Sequence, residues 1–198
     1  MKEAAAIRRH YRTPVLLARA LFALYYTLCI PGGMLLAEEP MPITITSSAF
    51  TDGAEIPARY TCQGEDVSPP LAWSGVPAAA RSLVLIVDDP DAPDPKAPRM
   101  TWVHWVLFNL PKETTGLPEG IAPEALPTGT GQGTNSWNRT GYGGPCPPIG
   151  RHRYFHKLYA LDTVLDLSGK PTAEAVEAAF RGHVIGEAQL VGTYQKAR

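Results

Sequence analysis

The sequence predicts a mainly β protein, with a β-sandwich-like core and flanking short helices. Three observations point there. Short runs rich in β-branched and aromatic residues recur at 43–46, 82–87, 101–109, 154–161 and 189–194, and such side chains suit a pleated surface. Helix signals gather in one late segment, residues 172–182. Glycine (18) and proline (20) are abundant and scattered through the 198 residues, which suits many connections between strands and not a helical bundle. That length fits one domain, and 44% apolar residues can fill its core.

The first stretch differs from the rest. In residues 1–37, Lys2, Arg8, Arg9, Arg12 and Arg19 stand against one acid, Glu3, and residues 20–37 carry no charge. A basic start, an apolar run and a small residue, Ala37, before Glu38 and Glu39 form the layout of a secretory signal. The expectation is a signal peptide or N-terminal leader over 1–37, one domain over 41–198, and a periplasmic or secreted location. An uncleaved anchor is the rival, opposed by Pro31-Gly32-Gly33 inside the apolar run. A start-site artefact in front of a cytoplasmic domain is a third reading. Without the leader, thirteen basic residues face eighteen acidic ones, a charge of −5. This balance excludes a polybasic nucleic-acid binder, and the mean hydropathy of −0.11 excludes a multi-span membrane protein.

Residues 43–46 alternate apolar and polar, as a half-buried strand does. Residues 82–87 (SLVLIV) form a nearly continuous apolar run, the mark of a central strand. In 101–109, strict alternation places Trp102, His104, Val106 and Phe108 on one face and Val103, Trp105 and Leu107 on the other. Both faces are largely apolar, so this strand is expected to be covered twice. Residues 154–161 and 189–194 complete the strands, and residues 89–100, 111–137 and 140–150 read as Pro/Gly-rich connections. The helix is predicted over 173–181: Thr172 can cap it, Glu174 and Glu177 load its early turns, Gly182 can end it, and Ala175, Val176, Ala179 and Phe180 form its apolar stripe.

Cys29 falls in the leader, leaving Cys62 and Cys146 for the domain. Two cysteines in an exported domain make a disulfide candidate, with two unpaired thiols as the alternative.

Three segments carry chemistry. Asp88-Asp89-Pro90-Asp91-Ala92-Pro93 sets three carboxylates at the end of an apolar strand, either as an acidic turn or as part of a site. His104 sits on a strand whose histidine could equally be a hydrogen-bonded core residue. The run 140–148 (TGYGGPCPP), followed by Gly150-Arg151-His152-Arg153-Tyr154, combines glycines that expose backbone N–H groups with prolines that hold shape. Imidazolium N–H groups of two histidines, with an acid and glycine amides, converging at one sheet end would form a small anion receptor.

These segments resemble the phosphatidylethanolamine-binding protein family. The resemblance rests on Asp89-Pro90-Asp91-Ala92-Pro93, Trp102-Val103-His104, Gly141-Tyr142-Gly143-Gly144-Pro145 and His152-Arg153-Tyr154. Tyr60-Thr61-Cys62-Gln63-Gly64, Ser68-Pro69-Pro70-Leu71 and Trp73 look like its bacterial, Raf kinase inhibitor-like branch. About residues 43–196 are covered. The resemblance implies a β-sandwich with flanking helices and an anion pocket at one end. Asp89, His104, His152 and Tyr154 would line that pocket, with Asp91 among its ligand-binding residues. Gly143 and Gly144 would present their backbones, and Trp102 and Pro93 would form walls. The C-terminal helix of eukaryotic members has no counterpart after Tyr194, so a differently shaped mouth is expected.

The implied function is non-catalytic binding of a small anionic or zwitterionic ligand such as phosphate or phosphorylethanolamine, with a regulatory or inhibitory role. No cofactor, metal or nucleic-acid partner is expected, membrane contact is confined to the leader, and a homodimer is left open. A protein-interaction module inhibiting a kinase or protease, through loops 111–137 and 94–98, is the alternative. A metal-dependent hydrolase using His104, His152 and Asp89 is a third, although no Gly-x-Ser-x-Gly, His-Glu-x-x-His or Walker motif is present. Asn138-Arg139-Thr140 matches the glycosylation pattern.

Overall fold

The alternation at 43–46 produces the strand it predicts. In the computed structural model, which describes residues 42–197, β1 (Thr44–Thr46) buries Ile45 and turns both threonines outward. It pairs antiparallel with β2 (Leu71–Ser74), where Leu71 and Trp73 alternate inward. The remaining strands are β3 (Ser82–Asp89), β4 (Trp102–Leu110), β5 (Gly116–Leu117), β6 (Gly131–Gln132), β7 (Arg151–Leu161) and β8 (Val184–Gln195). One sheet runs β1-β2-β5 and the other β6-β4-β3-β7-β8, antiparallel throughout. The predicted leader and Cys29 lie outside the described residues.

The nearly continuous apolar run became the central strand, as expected. Every residue of β3 is buried, because both faces of the five-stranded sheet are covered. Leu83, Leu85 and Val87 point into the sandwich, where they meet Ile45, Leu71, Trp73 and Leu117 of the small sheet. Val84 and Ile86 point the other way, toward Ala173, Val176 and Phe180 of the helix α1 (Ala173–Phe180). This helix starts as predicted, with Thr172 Oγ1 accepting the Ala175 N–H at 3.3 Å. It stops one residue early, and Gly182 beyond it adopts φ +84°.

Three expectations need correction. β7 begins at Arg151, so His152 lies within the strand. The connection 111–137 is not bare loop, since β5 and β6 lie inside it as short edge strands. The face assignment of β4 fails at its N-terminal end. Val103 packs with Val106 and Phe108, while Trp105 and Leu107 enter the sandwich. The register explains this. Asp88 opposes Val103 and Val87 opposes Trp105, which leaves His104 as the extra residue of a β-bulge. A second bulge leaves Asn109 at φ +54°, where its side chain donates to the Leu165 carbonyl and accepts the Leu165 N–H, both at 2.9 Å.

Cys62 and Cys146 form a disulfide. Among the described residues, no helix is long and apolar enough to cross a membrane.

Candidate functional site

Antiparallel pairing puts the end of β3 beside the starts of β4 and β7. Asp89 opposes Trp102, and Asp88 opposes both Val103 and Phe155. Along β7, His152 and Tyr154 share the inner face with Leu158, and along β3, Asp89 follows Leu85 and Val87 inward. His104 joins them only through its bulge. Strict alternation back from Trp105 would have sent it to the helix side of the sheet.

The resulting cavity has a volume of about 400 Å³. Its polar lining consists of Asp89, His104, His152 and Tyr154, and its apolar walls include Pro93, Trp102, Trp137 and Pro147. The Ala92–Pro93 peptide is cis. Trp137, at the end of the 111–137 connection, stands edge-on to His104 at 5.2 Å and to Trp102 at 5.4 Å, as a wall of the cavity. Bonds between Val103 and Ser136 hold it there: the Val103 N–H donates to Ser136 Oγ, and the Ser136 N–H donates to the Val103 carbonyl. Cys146 and Pro148 of the 140–148 run also line the cavity, as does Met100, which no motif pointed to. A tryptophan in an otherwise polar loop was the one available sequence signal for Trp137.

The two histidines have opposite roles. The His152 Nε2 lies 3.0 Å from the Ile149 carbonyl, which can only accept, so that nitrogen carries a proton. Its Nδ1 lies 2.7 Å from Asp89 Oδ2. Whichever of the two holds the intervening proton, the pair is net neutral and both ring nitrogens are occupied. Burial raises the Asp89 pKa, opposed by His152 and by the Asp91 N–H that donates to Oδ1.

His104 donates from Nδ1 to the Gly143 carbonyl at 2.6 Å. Its Nε2 is buried without a partner, and burial lowers the ring pKa to about 4. At neutral pH this nitrogen is therefore a lone-pair acceptor, contrary to the expected imidazolium donor. The Tyr154 hydroxyl is also buried and unpartnered, and burial raises its pKa, so it stays a neutral donor. Among the side chains lining the cavity, these are the two unpartnered buried polar atoms.

The glycine expectation also changes. The Gly143 N–H donates to the His104 carbonyl at 3.0 Å, and the Gly144 N–H donates to Asp66 Oδ1 at 2.6 Å, so neither is free for a ligand. Their lack of a side chain serves close packing. A Cβ on Gly143 would lie 2.5 Å from the Trp137 ring, and one on Gly144 would lie 2.5 Å from the Tyr60 carbonyl oxygen. Asp91 is likewise engaged elsewhere. Arg153 grips both its oxygens, at 2.9 and 2.7 Å, and pulls its carboxyl pKa down. This fork ties the Asp91–Pro93 turn to β7. Among the described residues, no three histidine, cysteine or carboxylate side chains gather to hold a metal ion.

The arrangement agrees with comparisons to known proteins. A family model described as Phosphatidylethanolamine-binding protein matches residues 46–195. A UPF0098 protein of Methanothermobacter thermautotrophicus is 53% identical over 156 residues, covering 78% of this chain and 99% of that one. A crystal structure of a phosphatidylethanolamine-binding protein homologue from Chlamydia trachomatis superposes with a TM-score of 0.72 at 43% identity, covering 79% of this chain and 99% of that one. The YbcL structure of E. coli, described as a new member of the mammalian PEBP family, gives 0.71 at 31% identity, over 79% of this chain and 100% of that one.

Proposed function

Because this chain belongs to the phosphatidylethanolamine-binding protein family, we propose that it binds, without turnover, a small phosphate-containing or zwitterionic molecule such as phosphorylethanolamine. The observation that carries this reading is the pair of orphaned atoms, His104 Nε2 and Tyr154 Oη, in a cavity with otherwise satisfied polar groups. A buried polar atom left unpaired costs about 1–3 kcal/mol, which a ligand atom can recover. Asp89 supplies the carboxylate that an ammonium group would approach. A periplasmic or secreted location fits the disulfide, which persists in oxidising compartments.

The ionisation of His104 constrains how a phosphate binds. A lone pair repels a phosphate dianion. Either the ring takes up a proton on binding, or a monoprotonated phosphate donates its own P–O–H to Nε2. Both routes leave the complex with one proton more than the neutral ring and the dianion. Affinity for a phosphate monoester should therefore fall about tenfold per pH unit above the second phosphate pKa, near 6. Calorimetric titration of phosphorylethanolamine in two buffers of different ionisation enthalpy should show proton uptake approaching one per ligand at pH ~7.5. An affinity that stays level across this range, with no proton uptake, would rule out His104 as the anion contact.

A further inference from the structure

The loop that leads into β7 is held unevenly. Over 142–145 every residue is tied to the rest of the domain. The Tyr142 hydroxyl donates to the Tyr60 carbonyl at 3.0 Å, the Gly143 N–H to the His104 carbonyl at 3.0 Å, and the Gly144 N–H to Asp66 Oδ1 at 2.6 Å. The Pro145 carbonyl accepts the Cys62 N–H at 3.1 Å. The next stretch, 146–150, has little of this. Pro147 and Pro148 have no N–H to donate. Before β7 begins at Arg151, one hydrogen bond among the described residues holds the stretch, from His152 Nε2 to the Ile149 carbonyl at 3.0 Å. Yet this stretch carries Cys146, Pro147 and Pro148 into the lining of the cavity.

One covalent bond makes up the difference. Cys146 is joined to Cys62, and Cys62 belongs to a turn that is itself firmly held. The Thr61 hydroxyl donates to the Ala58 carbonyl at 2.8 Å, and the Glu65 N–H donates to the Arg59 carbonyl at 3.0 Å. Gly64 packs so closely on this turn that a Cβ there would overlap the Ala58 carbonyl. The disulfide thus fastens a sparsely bonded strip to a fixed one. Both cysteines are exposed, so a thiol can reach them, and exposed disulfides are the ones that exchange readily.

We propose that the Cys62–Cys146 bond is a redox latch on the cavity wall, opened by a dithiol. The dithiol passes two electrons and two protons to the bond and closes to its own disulfide, while Cys62 and Cys146 become thiols. The strip 146–150 is then released. Pro147 and Pro148 leave the wall, and the Ile149 carbonyl leaves the His152 Nε2–H without its acceptor. The consequence for a ligand rests on the proposed binding of a phosphate compound: the reduced chain presents an incomplete pocket, so tight binding is confined to an oxidising compartment, where the disulfide persists. The latch itself does not depend on which ligand is bound.

The test is NMR on the ligand-free, ¹⁵N-labelled protein before and after dithiothreitol, with mass spectrometry confirming the gain of two hydrogens. On reduction the His152 Nε2–H signal should be lost to exchange with water. The His104 Nδ1–H, held by the firmly tied Gly143, and the sheet amides should stay protected. Cys62→Ala combined with Cys146→Ala should show the same loss without reductant and no response to it. A His152 signal that survives in the reduced protein would overturn the latch. So would a bond that dithiothreitol reduces only once denaturant has unfolded the chain. Loss of the His104 signal and the sheet amides together with His152 would overturn it too, since the bond would then hold the domain and not the wall. Calorimetry with phosphorylethanolamine separates the latch from the binding it gates. Binding lost on reduction supports both. Equal binding by the two forms overturns the confinement to an oxidising compartment. No binding by the oxidised protein overturns the proposed ligand, while the His152 signal still decides the latch.

Discussion

The two halves of the main cavity are built from similar residues and differ in what remains available. On one side, His152 is bonded at both ring nitrogens and Asp89 at both oxygens, while Arg153 engages Asp91 on the same turn. On the other, His104 and Tyr154 each retain a buried polar atom without a partner. Two histidines in one cavity therefore do unlike work. What decides it is the partner of the second nitrogen: a carboxylate makes His152 part of a neutral scaffold, and a carbonyl on Nδ1 leaves His104 an acceptor. The spent half holds the shape, and the unspent half is where a ligand can gain hydrogen bonds.

The comparison breaks most visibly if the spent half is cut. Asp89→Ala strips the partner from both His152 Nδ1 and the Asp91 N–H, and each buried polar group left unpaired costs about 1–3 kcal/mol. Urea unfolding should show a loss of that order; a loss near zero would mean that the pair does not scaffold the site. Acid is the next lever, with a slightly smaller effect per group. His104 and His156 are both buried with pKa values lowered to about 4, His156 beside Phe50 in the sandwich interior. Unfolded histidines titrate near 6.5, so as pH falls below that value the unfolded chain binds protons that the folded rings refuse. Stability should drop progressively from pH ~6.5 toward ~4, by at most about 3 kcal/mol per ring. Ring NMR signals that titrate near 6.5 in the folded protein would contradict this.

The unspent half should behave oppositely. Tyr154→Phe deletes an unpartnered hydroxyl, so stability should shift by less than about 1 kcal/mol. Affinity for phosphorylethanolamine should nevertheless fall roughly tenfold or more, since a hydrogen bond to a charged group is worth about 1.5–3 kcal/mol. Calorimetry on this variant sharpens the contrast, because unchanged affinity would leave the hydroxyl without a ligand role. The smallest effect belongs to Arg153→Lys. The charge stays but the two-pronged grip on Asp91 is lost, and because the Arg153 side chain is 56% exposed, a cost of about 1 kcal/mol or less is expected in urea unfolding. A larger loss would show that the turn carrying Pro93 depends on this fork.

Much of this molecule was legible in residue order alone. The nearly continuous apolar run at 82–87 could only be satisfied between two covered faces, and it became the middle of the larger sheet. Thr172 and Gly182 bracketed the helix because capping is a local property. The domain's two cysteines became its disulfide, and the cavity-lining set Asp89, Pro93, Trp102, His104, His152 and Tyr154 was readable from its motifs. The extra residue at His104 was not legible, because a bulge arises from the register between two strands distant in sequence, which alternation within one strand does not encode. Without that residue His104 would face α1, away from Asp89 and Tyr154. Protonation was equally hidden. Whether an imidazole donates or accepts depends on which carbonyl or carboxylate the folded chain brings to each nitrogen, and on how far burial removes it from water. Residue types and their spacing determined what could meet; only the packed structure decided which polar atoms were left over.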